Sequence, residues 1–285
     1  MMNEQATADS MRACLNEVRR LDHDRFLSLQ FVPAVKRPAL IALYAFNAEI
    51  ARVPEAVSEP MLGQIRLQWW RDTVEALSGG EARGHEAAVA LAETRSIADW
   101  PLKELIALID ARERDLDEAP FESMAELETY AGETSSRPMM LAAHALAGAQ
   151  AEASADAIIS AGIAYALTGL LRTLPLHASQ GRLYLPLDLL RSHDIDPHRI
   201  FAGEMSEALR RAIAEVAARA QALLAEARAH KVSRAIIPAL LPAALCDRYL
   251  GMLTAPGFDP FHQSTDVPAF ARQLRMAAKQ FAGRF

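Results

Sequence analysis

Apolar residues recur along the chain at the spacing of helix faces. One stripe, with apolar side chains three and four positions apart, runs through residues 39–53, and stripes of the same period cover 62–69, 102–116 and 209–227. Strand-like runs bounded by turn residues are nearly absent, and alanine, a strong helix former, is used heavily. The pattern predicts an all-α fold.

Glycine and proline interrupt these stripes only briefly. The breaks fall at residues 78–80, 135–138, 174–190 and 255–260. None is a long linker, and the chain contains no internal repeat or low-complexity tract. We therefore expect a single domain over residues 1–285, in which residues 1–24 form an N-terminal extension.

One stretch of the chain, residues 158–171, is apolar on every side. This is expected of a helix that is surrounded by other helices. The stretch is shorter than the roughly 20 residues that a membrane-spanning helix requires. It predicts the centre of a helical bundle and no membrane span.

The composition narrows the class of protein. Hydrophobic residues make up 51% and charged residues 23% of the 285 positions, which is globular and excludes a disordered chain. The formal net charge of -6 argues against a general nucleic-acid binder. Cys14 and Cys246 lack CxxC partners, which excludes a disulfide framework and a cysteine-based zinc site and favours a reducing compartment. Residues 1–20 resemble neither a signal peptide nor a transit peptide, so we expect no cleaved leader.

Two motifs contain residues that helix formation alone does not explain. The first, at residues 44–55, reads YAFNAEIARVPE; the second has Gly162 and Arg172 on an apolar helix, followed by GRLYLP at 181–186. Together they resemble the squalene/phytoene synthase family, over about residues 25–250. The resemblance implies a single-domain helical bundle of the isoprenoid-synthase type, whose enzymes join two prenyl diphosphates head to head.

The family's chemistry depends on carboxylates. Ionising an allylic diphosphate requires neutralisation of the leaving charge, which these enzymes achieve with Mg²⁺ held by carboxylates on two facing helices. The first family motif has aspartates seven, eight and eleven residues after its tyrosine. In this chain the corresponding positions are Ala51, Arg52 and Glu55. Two ligands are missing from this face, and one of these two positions carries a cation.

The second family motif, N-I-x-R-D-x-x-E-D, is also altered. Arg172 is retained, but its aspartates are replaced by Thr173 and His177. Neither helix then supplies an acidic pair. The resemblance therefore predicts no bound metal, no cofactor, no catalytic residues and no condensation.

One branch of the family shares this loss, namely the mitochondrial complex I assembly factors and their alphaproteobacterial relatives. The matching elements are AFNAEIA at 45–51, Val57-Ser58-Glu59 and the Trp69-Trp70 pair. The resemblance implies an inactive scaffold that assembles the membrane NADH:quinone oxidoreductase by contact with complex I subunits or assembly intermediates. It implies a bacterial cytoplasmic protein, peripheral at the inner membrane when it acts there.

An alternative function is a prenyl-diphosphate-binding transferase with unusual residues. Guanidinium groups bind phosphate oxygens without a metal, so Arg52, Arg172 and Arg182 could grip a diphosphate. The other residues considered for this site are Tyr44, Tyr184, Glu49 and Glu55, with Mg²⁺ as a cofactor only in this case. Alternatively, Arg172 and Arg182 hydrogen-bond loop carbonyls and acidic helix faces, and Arg52 is solvated. His177 is either a general base or a loop or helix-cap residue, and we favour the second interpretation. The cavity would be an apolar slot for a lipid or prenyl ligand, or filled by larger side chains.

The C-terminal segment, residues 265–285, predicts a basic amphipathic helix. Phe270, Leu274, Ala277 and Phe281 share one stripe, and the chain around them carries an excess of arginine and lysine. Such a helix binds an anionic membrane surface. The alternative is a last core helix that buries this stripe and exposes its basic face.

Overall fold

Helices account for the regular structure of the chain. The computed structural model describes residues 4–79, 84–117 and 119–285, and over them the chain forms sixteen α-helices and no strand, which confirms the all-α class. The helices are α1 (Glu4–Leu21), α2 (His23–Ser28), α3 (Arg37–Ala51), α4 (Pro60–Ala76), α5 (Glu86–Thr94), α6 (Leu102–Ala111), α7 (Met124–Ala131), α8 (Arg137–Ala147), α9 (Ala155–Arg172), α10 (Leu174–Ser179), α11 (Leu187–Ser192), α12 (Pro197–Phe201), α13 (Glu207–Ala229), α14 (Ile237–Leu240), α15 (Cys246–Leu253) and α16 (Ala269–Ala282). Short 3-10 turns join several of them, and the turn Gly132–Ser136 is π-helical.

Helix α9 lies at the centre, as its all-round apolar sequence predicts. It packs against α13, α15 and the π-helical turn. Small residues make this close packing feasible, because a Cβ atom added to Gly162 would lie 2.4 Å from the Cα atom of Ser136. The π-helical turn is thereby held directly against α9.

The N-terminal segment is closely packed. Helix α1 lies on α3 and α5 and buries Cys14 and Val18. Residues 1–24, which we expected to extend the domain, thus contribute a packed helix over their described part. Asp22 then caps α2 by accepting a hydrogen bond from the backbone N–H of Arg25 at 3.0 Å.

Helix α16 differs from the last core helix that was one of the two expectations for the C-terminal segment, and it exposes its apolar stripe as a surface-binding helix would. Its apolar stripe of Phe270, Leu274 and Phe281 is exposed, and its basic side chains are not simply solvated. Arg272 donates to Asp24 at 2.7 Å and Arg275 donates to Asp247 at 2.6 Å. The orientation follows from these ion pairs, since the carboxylate of Asp24 is buried and requires a cation.

Two stretches are long and apolar enough to cross a membrane by length and composition alone. They are Met124–Arg172 and Arg234–Leu253. Each is divided between several helices and turns in this fold, and 78% of the apolar window in the second is buried among other helices.

The close approach at Gly162 yields the first prediction. We expect Gly162→Ala to lower the free energy of unfolding by about 1–3 kcal/mol, because the new methyl group would overlap backbone that cannot easily move. Gly169→Ala is the matched control on the same helix, since a Cβ there meets nothing within 4 Å. The control should be neutral or stabilising by up to about 1 kcal/mol. Urea denaturation measures both, and equal effects would contradict the packing argument.

Candidate functional site

Two adjoining cavities lie at the C-terminal end of α9. We call them the arginine cavity, of about 220 Å³, and the Asp115 cavity, of about 210 Å³. The polar residues that line the arginine cavity are Arg25, Arg112, Tyr130, Thr134, Ser135, Tyr165, Thr168, Arg172, Thr173 and Tyr249. The polar residues that line the Asp115 cavity are Glu55, Arg112, Asp115, Tyr130, Thr173, His177, Gln180, Arg182 and Tyr184. Because Arg112, Tyr130 and Thr173 line both, the cavities share a wall.

Asp115 is the residue to which several polar side chains of the second cavity are bonded, and we call it with its partners the Asp115 hub. Its buried carboxylate accepts hydrogen bonds from the Tyr130 hydroxyl at 2.5 Å, from the Tyr184 hydroxyl at 3.1 Å and from Arg112 Nη1 at 3.2 Å. Burial, followed by the charge of Asp115, raises the pKa of Tyr130 and of Tyr184, so both phenols remain protonated donors. The oxygens of Asp115 are therefore occupied by protein groups.

The GRLYLP loop is held in place by the same hub. Arg182 Nη1 donates to the backbone carbonyl of Asp115 at 3.2 Å, and Tyr184 donates to its carboxylate. Gly181 has a φ of +68°, which L side chains rarely adopt, and this allows the turn after α10. Of the two interpretations of Arg182, the structure thus places this side chain on a loop carbonyl.

His177 and Thr173 occupy the positions of the second motif's aspartates. Thr173 donates to the carbonyl of Gly169 at 2.9 Å, and the His177 ring lies 4.5 Å from the Tyr184 ring. Burial, more than the neighbouring Arg182, lowers the pKa of His177 to about 4, while Asp115 opposes the change. Both positions are therefore uncharged near pH 7.

The residues of the first motif are split between locations. Ala51 and Glu55 line the Asp115 cavity, but Arg52 does not line either cavity. Its guanidinium donates to Glu17 on α1 at 2.7 Å and lies 3.5 Å from Glu49. This cap residue of α3 turns towards α1, so it neither lies with Arg172 and Arg182, as the alternative of a diphosphate grip requires, nor is simply solvated.

Tyr44 and Glu49 also lie outside the two cavities. Tyr44 is buried beneath the guanidinium of Arg25, 5.6 Å from the ring centroid, and burial raises its pKa to about 12. Glu49 lies 3.6 Å from the His85 ring nitrogen, and this partner, against the effect of burial, lowers the pKa of the Glu49 carboxyl. Neither side chain is available to a ligand in the cavities.

Arg172 belongs to a second cluster, around Asp24. Its guanidinium lies 3.7 Å above the Tyr249 ring and 3.7 Å from the Asp24 carboxylate. Asp24 also accepts hydrogen bonds from the Tyr249 hydroxyl at 3.0 Å and from Arg272 at 2.7 Å. Arg172 therefore lines the arginine cavity while bonding an acidic residue of α2.

The arginine cavity favours anions. Three guanidinium groups line it and no carboxylate does. Two of its lining residues carry a buried donor without a hydrogen-bond partner, namely the Ser135 hydroxyl and Arg112 Nε, and Ser135 is only 6% exposed. The neighbouring Thr134 and Ser136 hydroxyls both bond backbone carbonyls, so the free hydroxyl of Ser135 is specific to its position in the π-helical turn. A small oxyanion is the chemical class that suits these donors.

The residues present do not fit the family's magnesium cluster. Within residues 4–79, 84–117 and 119–285 there is no group of three or more His, Cys, Asp or Glu side chains that could hold a metal ion. The cavities contain two carboxylates among their described lining residues, the exposed Glu55 and the fully bonded Asp115. We therefore derive no metal-dependent step for this site.

Several residues of the site were missed by sequence reasoning, above all Arg112, Asp115 and Asp24. One signal for Arg112 was available: it falls between Ile109 and Leu116 on the apolar stripe of residues 102–116, where a charged side chain requires a buried partner. The Tyr130, Tyr184 and Tyr249 partners carry no such signal, because their positions relative to the aspartates depend on the tertiary fold.

The Asp115 hub yields the second prediction. Asp115→Asn should lower the free energy of unfolding by about 3 kcal/mol, because it leaves the guanidinium of Arg112 without its buried counter-charge. Asp117→Asn is the matched control, since Asp117 is exposed and lies 3.6 Å from Arg114. The control should change stability by no more than about 0.5 kcal/mol. Chemical denaturation at pH 7 distinguishes the two variants. An Asp115→Asn protein as stable as the wild type would contradict the structural role of Asp115.

His177 yields a prediction about pH. The unfolded histidine titrates near pH 6.5, whereas the folded one stays neutral down to about pH 4, so the unfolded state binds more protons in between. Stability should therefore fall with acidification, and between pH 7 and 5 His177 should account for about 2 kcal/mol of that loss. His177→Gln should flatten the pH dependence by this amount. The exposed His198→Gln serves as control, and identical slopes for all three proteins would refute the assignment.

Comparison with known proteins places these features in a family. The squalene/phytoene synthase family model matches residues 18–275. The chain is 30% identical over 258 residues to complex I assembly factor 6 of Rattus norvegicus, covering 90% of this chain and 77% of that protein. It is also 30% identical over 281 residues to the phytoene synthase of Thermus thermophilus, covering 96% and 93% of the two chains.

Solved structures share the fold. A dehydrosqualene synthase in complex with a ligand superposes with a TM-score of 0.80 at 15% identity, covering 98% of this chain and 97% of that one. The squalene synthase of Alicyclobacillus acidocaldarius superposes with a TM-score of 0.68 at 20% identity, with the same coverage. The chain therefore belongs to the squalene/phytoene synthase family and has the all-α isoprenoid-synthase fold.

Proposed function

We propose that this chain is a catalytically inactive member of the family that serves as an assembly factor for respiratory complex I through protein contact. The observation that carries the proposal is the state of the cavity carboxylates. Ala51, Thr173 and His177 stand where the family's motifs have aspartates. Among the described residues that line the two cavities, the one buried carboxylate is Asp115, which is bonded to two tyrosines and an arginine.

The physical argument concerns charge. A departing diphosphate develops negative charge that must be neutralised in the transition state, and metal ions supply this stabilisation in the family's chemistry. His177 is neutral near pH 7, and Arg112 and Arg172 each lie close to an internal aspartate. Over the residues that the structure describes, the site therefore lacks a carboxylate set for a metal, and Arg112 and Arg172 already have carboxylate partners.

A protein-contact role also needs an outward surface. Met61 and Ile65 on α4 are 64% and 60% exposed, and Leu62 between them is exposed as well. We call these three residues the α4 patch. They follow the Val57-Ser58-Glu59 element that resembles the assembly-factor branch. Contiguous apolar side chains on the surface are typical of protein interaction sites, and we infer that the partner is a complex I subunit or assembly intermediate.

The expected setting follows from the proposed role. We infer a bacterial cytoplasmic protein that works at the inner membrane, where complex I is assembled. The similarity to proteins named as complex I assembly factors supports the assembly role from which this setting is inferred.

Gene deletion and complementation test the proposal. Deletion should lower NADH:quinone oxidoreductase activity in isolated membranes and leave polyisoprenoid content unchanged, because the role is assembly rather than prenyl transfer. The wild-type gene and a Val35→Ser control, altered at another exposed apolar residue, should restore activity. Met61→Ser/Ile65→Ser should restore it poorly, since the patch would bind its partner less tightly.

Turnover by the purified protein would contradict the proposal. Geranylgeranyl diphosphate and Mg²⁺ should give no product above that of an Arg172→Ala variant. Loss of polyisoprenoids in the deletion strain with unchanged complex I activity would be equally decisive against an assembly role.

The arginine cavity favours one second candidate, a prenyl-diphosphate-binding protein. Its unpartnered Ser135 hydroxyl and Arg112 Nε are suitable donors to phosphate oxygens. This function requires that geranylgeranyl diphosphate raises the melting temperature without Mg²⁺, and that Ser135→Ala reduces the rise. An unchanged melting temperature would exclude this second candidate, and the assembly role would be the remaining proposal.

A further inference from the structure

The C-terminal helix α16 presents an apolar ridge to the outside of the molecule. Phe270, Leu274 and Phe281 are 76%, 60% and 83% exposed, and the two phenylalanines are more exposed than the other large apolar side chains that the structure describes. Their spacing of four and seven residues puts them on one side of the helix. At 1.5 Å per residue, the ridge from Phe270 to Phe281 is about 16 Å long. We define these three residues as the α16 ridge.

The ridge cannot turn inward without breaking buried contacts. On the opposite side of α16, Met276 is fully buried and Arg272 donates to the buried Asp24 at 2.7 Å. Arg275 donates to Asp247 and to the carbonyl of Ala244, both at 2.6 Å. Rolling the helix would leave Asp24 buried without Arg272, which is a costly arrangement. The exposure of the ridge is therefore built into the fold.

Positive charge accumulates beside the C-terminal end of the ridge. Lys279 lies two residues before Phe281 and Arg284 three residues after it, and the Arg234 side chain packs against Gly283. In the part of the chain that the structure describes, no carboxylate lies within ion-pair distance of these three cations. The nearby Arg228 and Arg275 share a single carboxylate, Asp247. The local charge is thus positive, although the whole chain has a net charge of -6.

We propose that the α16 ridge and its three cations, Lys279, Arg284 and Arg234, bind the surface of an anionic phospholipid bilayer. A convex helix that carries protruding phenyl groups has no cleft for a rigid partner, but its apolar side chains can enter the boundary between headgroups and acyl chains. The adjacent cations match the negative potential of anionic leaflets. This inference is independent of the proposed assembly function, because it requires neither a complex I partner nor an inactive cavity.

Vesicle flotation with the full-length protein tests the proposal. The probes are large unilamellar vesicles of phosphatidylcholine alone and of phosphatidylcholine with phosphatidylglycerol at about 7:3. The wild type should float with the anionic vesicles, bind neutral ones about tenfold more weakly, and lose binding at high salt. Binding that is equal on both vesicle types, or absent from both, would overturn the proposal.

Variants separate the two parts of the surface. Phe270→Ser/Phe281→Ser should bind anionic vesicles at least about tenfold more weakly, because it removes the two most exposed apolar groups. Lys279→Gln/Arg284→Gln should bind anionic vesicles about tenfold more weakly and leave binding to neutral vesicles unchanged. Met61→Ser/Ile65→Ser is the matched control, with two exposed apolar residues changed on α4, and should bind like the wild type. Circular dichroism verifies that each variant is folded.

Another occupant of the ridge would be revealed by the same proteins. If Phe270→Ser/Phe281→Ser floats like the wild type, the ridge does not contact lipid. If the wild type is a dimer in size-exclusion chromatography and this variant is a monomer, a second copy of the chain covers the ridge. Either result would refute the membrane proposal. Neither would affect the assembly function, which is measured by complex I activity through the α4 patch.

Discussion

Two buried aspartates and their partners fix the arrangement of the helices around the C-terminal end of α9. A carboxylate in the interior must be paired and hydrogen-bonded, since an unpaired one is strongly destabilising. Asp115 meets this requirement with the Tyr130 and Tyr184 hydroxyls and Arg112. Asp24 meets it with Tyr249, Arg172 and Arg272. Each aspartate thereby ties together elements that are far apart in the chain, including α2 with α15 and α16.

The same interactions support the proposed loss of prenyl transfer. The alternative of a metal-free diphosphate grip requires guanidinium groups that are available to phosphate oxygens. Here Arg112 and Arg172 lie beside the protein's own carboxylates. Tyr130 lies in the wall that the two cavities share, and Tyr184 lines the Asp115 cavity. In the Asp115 cavity, the charges of Asp115 and Arg112 therefore balance one another without a ligand. The arginine cavity differs from it, because Ser135 and one nitrogen of Arg112 keep unused donors there.

Local pattern was enough to predict much of the fold but not its long-range polar contacts. The all-α class follows from helical periodicity, and the central position of α9 follows from its lack of a polar face. The stripe on α16 lies along one side of a helix, but periodicity defines a stripe without saying which side faces the core. That choice was made by ion pairs to Asp24 and Asp247, which lie 248 and 28 residues from their arginines. Arg52 was misplaced for the same reason, because its partner Glu17 is on another helix.

The retained motif residues have structural roles in this chain, which weakens any inference from motif to catalysis. Gly162 permits contact with the π-helical turn, Gly181 adopts a positive φ, and Arg182 and Tyr184 both bond Asp115. None of these functions requires a substrate. The positions that would hold metal are the ones that have changed, to Ala51, Thr173 and His177. A sequence that keeps the structural half of a motif and changes the metal-binding half can retain the family's fold, and our two proposals assign function to the surface of this chain, at α4 and at α16.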